Sequence, residues 1–288
     1  MRIDARLATA EPRDALLATP ELAARLSASP LLVALDIDGT LAPIAPTPQH
    51  AAVPAATRRT LEQLVAAPGV HVALVTGRAA RDGRQLVGVP NSWTIGNHGI
   101  ELIDALGGLR VNASAEAYAP TIARADELLR EPMNGFEGVF VENKKWTLSV
   151  HFRLAQEAEE PNVRDVVSNV ARSLGLRMFE GKKIFELRPP VAITKGTALL
   201  DLATTLGVVV EGALHGSILY AGDDRTDEDA FESLRGLRSS AITIHVGTAI
   251  LPDGARTSAE FLVRDPTALH NLLDWLATER ATRAVPRT

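Results

Sequence analysis

The apolar positions of this chain fall into two textures. From residue 31 they come as short unbroken runs: LLVALDID (31–38), VHVALVTG (70–77) and, more weakly, TIGNHG (94–99). Runs of this length, bounded by glycine and rich in strand formers, predict strands covered on both faces. Between them, VPAATRRTLEQLVAA (53–67) places Leu61, Leu64 and Val65 on one helical face, and Pro68-Gly69 ends it. The pattern resumes late in the chain. TKGTALLDLATTLG (194–207) predicts a helix, ILYAGD (218–223) a strand, EDAFESLRGL (228–237) a helix, AITIHVG (241–247) a strand and PTALHNLLDWLATE (266–279) a closing helix. Strands alternating with helices predict a parallel sheet with helices on both sides.

The middle of the chain differs. GVFVENKKWTLSVHFR (138–153) predicts a hairpin whose second arm alternates, with Leu148, Val150 and Phe152 on one face and Thr147, Ser149, His151 and Arg153 on the other. NVRDVVSNVARSLG (162–175) predicts an amphipathic helix ended by Gly175, and RMFEGKKIFELRP (177–189) a second hairpin turning at Gly181. Half-polar antiparallel strands predict an inserted α+β module. The expected organisation is a helical leader over 1–30, a core over 31–108 and 189–288, and the insert over 109–188. The last residues, RATRAVPRT, read as a frayed tail.

Composition narrows the chemistry. With 288 residues, 46% apolar and 23% charged, the chain has material for one large domain or two modest ones. The net charge of −5 and the absence of a long basic stretch disfavour nucleic-acid binding. There are no cysteines, which excludes disulfides, thiolate metal sites and cysteine nucleophiles. The N-terminal stretch lacks a signal-peptide apolar core and no apolar run is long enough for a membrane helix, so a soluble, cytoplasmic chain is expected.

In an open parallel sheet the reactive crevice lies at the carboxyl ends of the strands, and DIDGT, VTGR, ITKG and GDDRTDED all fall at strand ends or helix starts. Asp36 and Asp38 end the first strand one residue apart. Carboxylates that close repel, and a divalent metal resolves the conflict. One of them beside a metal is a plausible nucleophile toward phosphorus, and the other can give and take the proton. An Asp-Gly turn with one capping carboxylate is the plainer alternative. In GDDRTDED, Asp223 ends ILYAG as Asp36 ends LLVAL, and oxygen ligands at two neighbouring strand ends suit Mg²⁺, with Asp227 as direct or indirect support. The same run also reads as an acidic, solvated helix N-terminus. Thr76 and Gly77 resemble a phosphate cradle, or an ordinary turn, and Lys195 can neutralise phosphoryl oxygens.

DIDGT, Thr-Gly, the lysine and GDDRTDED, in that order, resemble the motifs of haloacid dehalogenase-superfamily phosphatases. GNHGIE (96–101), VENKKWTLSVHFR (141–153), FELRP (185–189) and GDDRTDED are similar to those of trehalose-6-phosphate phosphatases, over roughly residues 30 to 265. The resemblance implies a Rossmann-like parallel-sheet core with an inserted α+β cap, and Mg²⁺-dependent hydrolysis of trehalose 6-phosphate to trehalose and phosphate through an aspartyl-phosphate. It implies Asp36 as nucleophile and Asp38 as general acid/base. Thr76 and Lys195 would hold the phosphoryl group at Gly77 with Arg78 as a nearby helper, and Asp36, the Asp38 carbonyl and Asp223 would bind the metal, beside the candidate Asp227. In the cap it implies sugar contacts from Glu142, Lys144 and Glu186, with Asn97, His98 and Arg188 as further members. The cap pattern alone also fits a solvated sheet face. Related sugar phosphates (sucrose-phosphate, a mannosyl phosphoester) and a non-catalytic sugar-phosphate sensor are the competing functions. A sensor is expected to have lost Asp36, Asp38 or Lys195, and none is missing. His151 is expected to be structural or exposed, and Trp146 to pack within the cap.

Overall fold

The computed structural model describes residues 11–237 and 239–284. They form two compact units, one of residues up to 44, 51–108 and from 194 onward, the other of residues 45–50 and 109–193. Among the described residues no helix is long and apolar enough to cross a membrane.

The first unit is α/β. Its strands lie in the order Arg13–Asp14, Phe261–Val263, Ala241–Val246, Ser217–Gly222, Leu31–Leu35, Val70–Val75, Trp93–Gly96 and Glu101–Ile103. All pair in parallel except the last two, which pair antiparallel. Side chains of a strand alternate between faces, and the central strand shows what that does. Leu31, Val33 and Leu35 enter one apolar cluster with Leu61 and Leu64 of the helix Ala55–Ala66 and Leu269 and Leu272 of the helix Pro266–Ala284. Leu32 and Ala34 enter the other, with Leu199 and Leu202 of the helix Lys195–Thr205 and Ala230 and Phe231 of the helix Arg225–Leu234. Burial on both faces explains the unbroken apolar run.

The expected helical leader is different in kind. Residues 1–10 lie outside the described residues, and from Arg13 the chain forms a two-residue strand, a 3₁₀ turn and the short helix Thr19–Arg25. Ala15, Leu22 and Leu26 belong to the first apolar cluster, so this segment is part of the core rather than an appendage. Arg25 fastens it by bonding Glu260 and the carbonyl of Ala241. The expected frayed tail starts too early, because the closing helix continues to Ala284 and Arg280 is buried on the carbonyl of Ala28. The rest of that tail, 285–288, lies outside the described residues.

The second unit holds a four-stranded antiparallel sheet in the order Phe140–Asn143, Leu148–His151, Ile184–Arg188, Arg177–Gly181. Leu148, Val150, Phe152, Phe185 and Leu187 face the helices Ala119–Met133 and Glu160–Ser173, through Ile122, Leu129, Val163 and Val167. Both hairpins and the 162–175 helix match the sequence pattern. The helix Ala119–Met133 was not anticipated, as prolines stand near both its ends. Trp146 is buried, and His151 is structural, bonding Glu142.

Candidate active site

Beyond Leu35 the central strand stays in register, since the amide of Asp36 donates to the carbonyl of Ala221 at 2.9 Å. The alternation therefore sends Asp36 to the same face as Leu32 and Ala34. That face is packed by the helices starting at Lys195 and Arg225, and their first turns meet the carboxylate. Lys195 Nζ donates to Asp36 Oδ1 and to Asp227 Oδ1, both at 2.8 Å, and all three side chains are buried. Thr194 and Thr197 form a capping box that fixes the start of the lysine's helix.

Asp227 is saturated. Its Oδ1 also accepts from the Tyr220 hydroxyl at 2.7 Å, and its Oδ2 accepts from the amides of Asp223 and Asp224 at 2.9 and 3.0 Å. It is neither a solvated helix-end residue nor short of partners. Asp224 caps the helix by accepting from the amides of Thr226 and Asp227. Tyr220 and Asp224 were not singled out from sequence. Asp224 was legible as the first residue of an Asp-x-x-Asp capping pattern, whereas Tyr220 looks like any strand aromatic.

Oxygens of Asp36, Asp223 and Asp227 all lie within 4.8 Å of one another. Gly39 makes this possible. Its φ of +94° turns the chain after the strand, and a Cβ there would lie 2.2 Å from Asp223 Oδ2. Three hard carboxylate donors, two at adjacent strand ends and one in the first turn of a helix, form a set that a divalent cation fits. Because Asp227 already has four donors, Asp36 and Asp223 are the groups best able to ligate, with Asp227 holding the Asp223 backbone in place.

Electrostatics reflect the crowding. Burial pushes the Asp36 carboxyl well above its usual range. Lys195 opposes the rise, while Asp227, Asp223 and Asp224 add to it. Burial likewise carries Asp227 up to about 7 against the pull of Lys195. Burial alone would lower the Lys195 ammonium, but Asp227 and Asp36, with Tyr220 and Asp224, outweigh it and raise it well above its ordinary value. The lysine is a fixed positive charge.

Asp38 does not join the carboxylate cluster through its side chain. It pairs with Arg78, whose Nε and Nη2 donate to its two oxygens at 2.7 Å each. Arg78, expected to help at the phosphoryl group, pairs its guanidinium with Asp38. Thr76 is buried and its hydroxyl accepts from the Arg78 amide at 3.1 Å, closing the turn through Gly77. A Cβ on Gly77 would lie 2.4 Å from His98 Nε2, so the turn packs closely beneath that ring. Asn97 is buried and donates to Glu101.

In the second unit, Glu142, Ser149 and Glu186 share one row across the polar face of the sheet. Lys144 Nζ and Arg188 Nε donate to the two Glu186 oxygens at 3.1 and 2.7 Å, and Glu142 pairs with His151 at 2.8 Å. The face is a paired polar network rather than loosely solvated charge.

The trehalose-phosphatase family model matches residues 34–266. The chain belongs to that family. An uncharacterized glycosyl hydrolase of Mycobacterium tuberculosis is 32% identical over 266 residues, covering 92% of this trehalose-phosphatase family member and 20% of the relative. A trehalose-phosphate phosphatase of Mycobacterium avium is 35% identical over 236 residues, covering 82% of this chain and 59% of the relative. The chain thus spans a fifth of the first relative's length and about three fifths of the second's. The crystal structure of a trehalose-6-phosphate phosphatase related protein superposes with a TM-score of 0.74 at 25% identity, over 88% of this chain and 99% of that one. The haloacid dehalogenase-like fold expected from the motif order is thereby established.

Proposed function

We propose that this chain is a Mg²⁺-dependent phosphatase that hydrolyses trehalose 6-phosphate to trehalose and phosphate. One observation carries the reading: Asp36 ends the central strand with its carboxylate held by a buried lysine and grouped with Asp223. That is the placement a nucleophile needs for repeated phosphoryl transfer.

The residues divide the work. An Asp36 oxygen attacks phosphorus, forming an acyl-phosphate as the bond to the sugar oxygen breaks. Asp38 gives its proton to the departing alkoxide, and in the second half takes a proton from the water that hydrolyses the acyl-phosphate. Arg78 keeps Asp38 aimed throughout. Lys195 keeps Asp36 in place and balances charge on the phosphoryl oxygens, with Thr76 and Gly77 shaping the turn that receives them. Asp36, Asp223 and the Asp38 carbonyl would hold the cation, supported by Asp227. Bound there, Mg²⁺ would screen the negative charge of phosphate and carboxylates.

Sugar recognition is assigned to the polar face of the inserted unit. Glu142, Lys144, Glu186 and Arg188 supply acceptors and donors suited to a polyhydroxylated ligand, pre-aligned by their mutual pairing. The family match and the M. avium relative support the substrate.

Phosphate release from trehalose 6-phosphate, measured with and without Mg²⁺, tests the proposal. The expected result is turnover that requires the cation and exceeds that on glucose 6-phosphate. Equal turnover of the two would remove the substrate assignment, and no release from any sugar phosphate would remove the enzymatic one.

A further inference from the structure

Two strand-end loops cross in the core unit, and a single buried carboxylate ties them together. Glu101 Oε2 accepts from the amide of Ala80 at 2.7 Å and from Asn97 Nδ2 at 2.8 Å. The first bond caps the helix Ala80–Val87, whose own N-cap residue, Ala79, makes no side-chain bond to the helix. A carboxylate there also favours the positive end of the helix. The second bond holds a loop in an uncommon shape: Asn97 and His98 have φ of +47° and +55°, and Gly99 of +113°. Consecutive left-handed residues persist only where the surroundings impose them.

That shape has a consequence for the turn Thr76–Gly77–Arg78. It aims the amide of Asn97 at the carbonyl of Arg78 (2.7 Å) and the amide of His98 at the carbonyl of Thr76 (3.1 Å). Fit at the crossing is close. A Cβ on Gly96 would lie 2.4 Å from the nitrogen of Ala80, and one on Gly77 as near to His98. The turn is thus held from above by a strained loop and from behind by a helix start, and Glu101 bonds both.

We infer that Glu101 is a positioning residue for the phosphate-binding turn, fixing Thr76, Gly77 and Arg78 through Asn97 and the start of the helix at Ala80. This rests on the proposed reading of that turn as the phosphoryl cradle. It assigns Asn97 to the support of the turn rather than to the sugar.

The test compares Glu101→Ala and Glu101→Gln with the full-length wild type. In Glu101→Ala, amide exchange at Ala80, Asn97 and His98 accelerates by at least about tenfold, matching the loss of a buried hydrogen bond. The inhibition constant for orthovanadate rises by a similar factor. Turnover falls about 100-fold, as expected for a misplaced site. The rise in Tm on adding Mg²⁺ is unchanged, because Asp36, Asp223 and Asp227 do not depend on Glu101. Glu101→Gln keeps an acceptor and restores most of the turnover. Wild-type exchange and vanadate inhibition in Glu101→Ala would overturn the inference, as would a glutamine variant as inactive as the alanine one. If Glu101→Ala does not fold, Asn97→Ala replaces it, with faster exchange at His98 expected and wild-type exchange there counting against. If wild type neither releases phosphate nor binds vanadate, the phosphatase reading fails, and exchange at the three amides alone decides whether Glu101 holds the turn.

Discussion

Lys195 holds Asp36 across a separation of 159 residues, with 2.8 Å between ammonium nitrogen and carboxylate oxygen and both groups buried. Alternation on one strand and the first turn of one helix create the contact, and Asp227 completes it from the first turn of another. Removing the lysine would leave two carboxylates facing each other out of water. Lys195→Ala is therefore expected to cost about 3–5 kcal/mol of stability, measured by urea unfolding, and to abolish turnover. Asp36→Asn keeps the shape and a hydrogen-bonding partner for the lysine. It should stay folded while losing turnover by about 10⁴-fold or more. Substantial residual phosphate release by that variant would disprove the nucleophile role.

Tyr220 and Asp227 offer a finer test of support without ligation. Tyr220→Phe removes one of four donors to Asp227 and is expected to cost about 1 kcal/mol, with phosphatase activity reduced but present. Asp227→Ala strips the lysine of a partner and frees the amides of Asp223 and Asp224. A loss of about 3 kcal/mol or more is expected, together with weaker Mg²⁺ binding by calorimetry. Equal effects of the two substitutions would show that Tyr220 does more than brace Asp227.

Substrate choice should separate from chemistry. Glu142 and Glu186 lie in the inserted unit, whereas the residues given a chemical role lie in the core unit. Glu142→Ala and Glu186→Ala should each weaken use of trehalose 6-phosphate by about tenfold or more, the effect of one or two lost charge-assisted hydrogen bonds. Hydrolysis of a small aryl phosphate should stay near wild type. A parallel loss on both substrates would place these residues outside sugar recognition.

Acidity should loosen the metal. A carboxyl raised by burial, as Asp36 is, stabilises the fold fully below its unfolded value of about 3.9 and loses that contribution as pH rises through its folded value. The cation takes the ionised form, so metal binding displaces the proton and strengthens as pH rises. The gain in Tm on adding Mg²⁺ should increase as pH rises, and Asp36→Asn should flatten that increase. A gain independent of pH in wild type would count against Asp36 as a ligand.

Sequence alone determined much of this protein. Unbroken apolar runs predict strands buried on both faces, and the alternation after residue 138 predicts a sheet of another kind, because burial on one side or two is written locally. DIDGT, the lysine and GDDRTDED announce where carboxylates gather, since each motif falls at a strand end or a helix start. Only the tertiary structure decided how they divide. That Arg78 pairs with Asp38, that Asp227 is saturated by Lys195, Tyr220 and two amides, and that Glu101 spans two loops depends on partners as much as 40 residues away. The leader illustrates the same limit. Residues 13–26 look separable in sequence, yet Leu22 and Leu26 complete the core because a neighbouring sheet edge and an arginine–glutamate pair receive them. Periodicity is set by near neighbours, whereas the partner of a buried polar group is set by whichever distant segment folding brings within 3 Å.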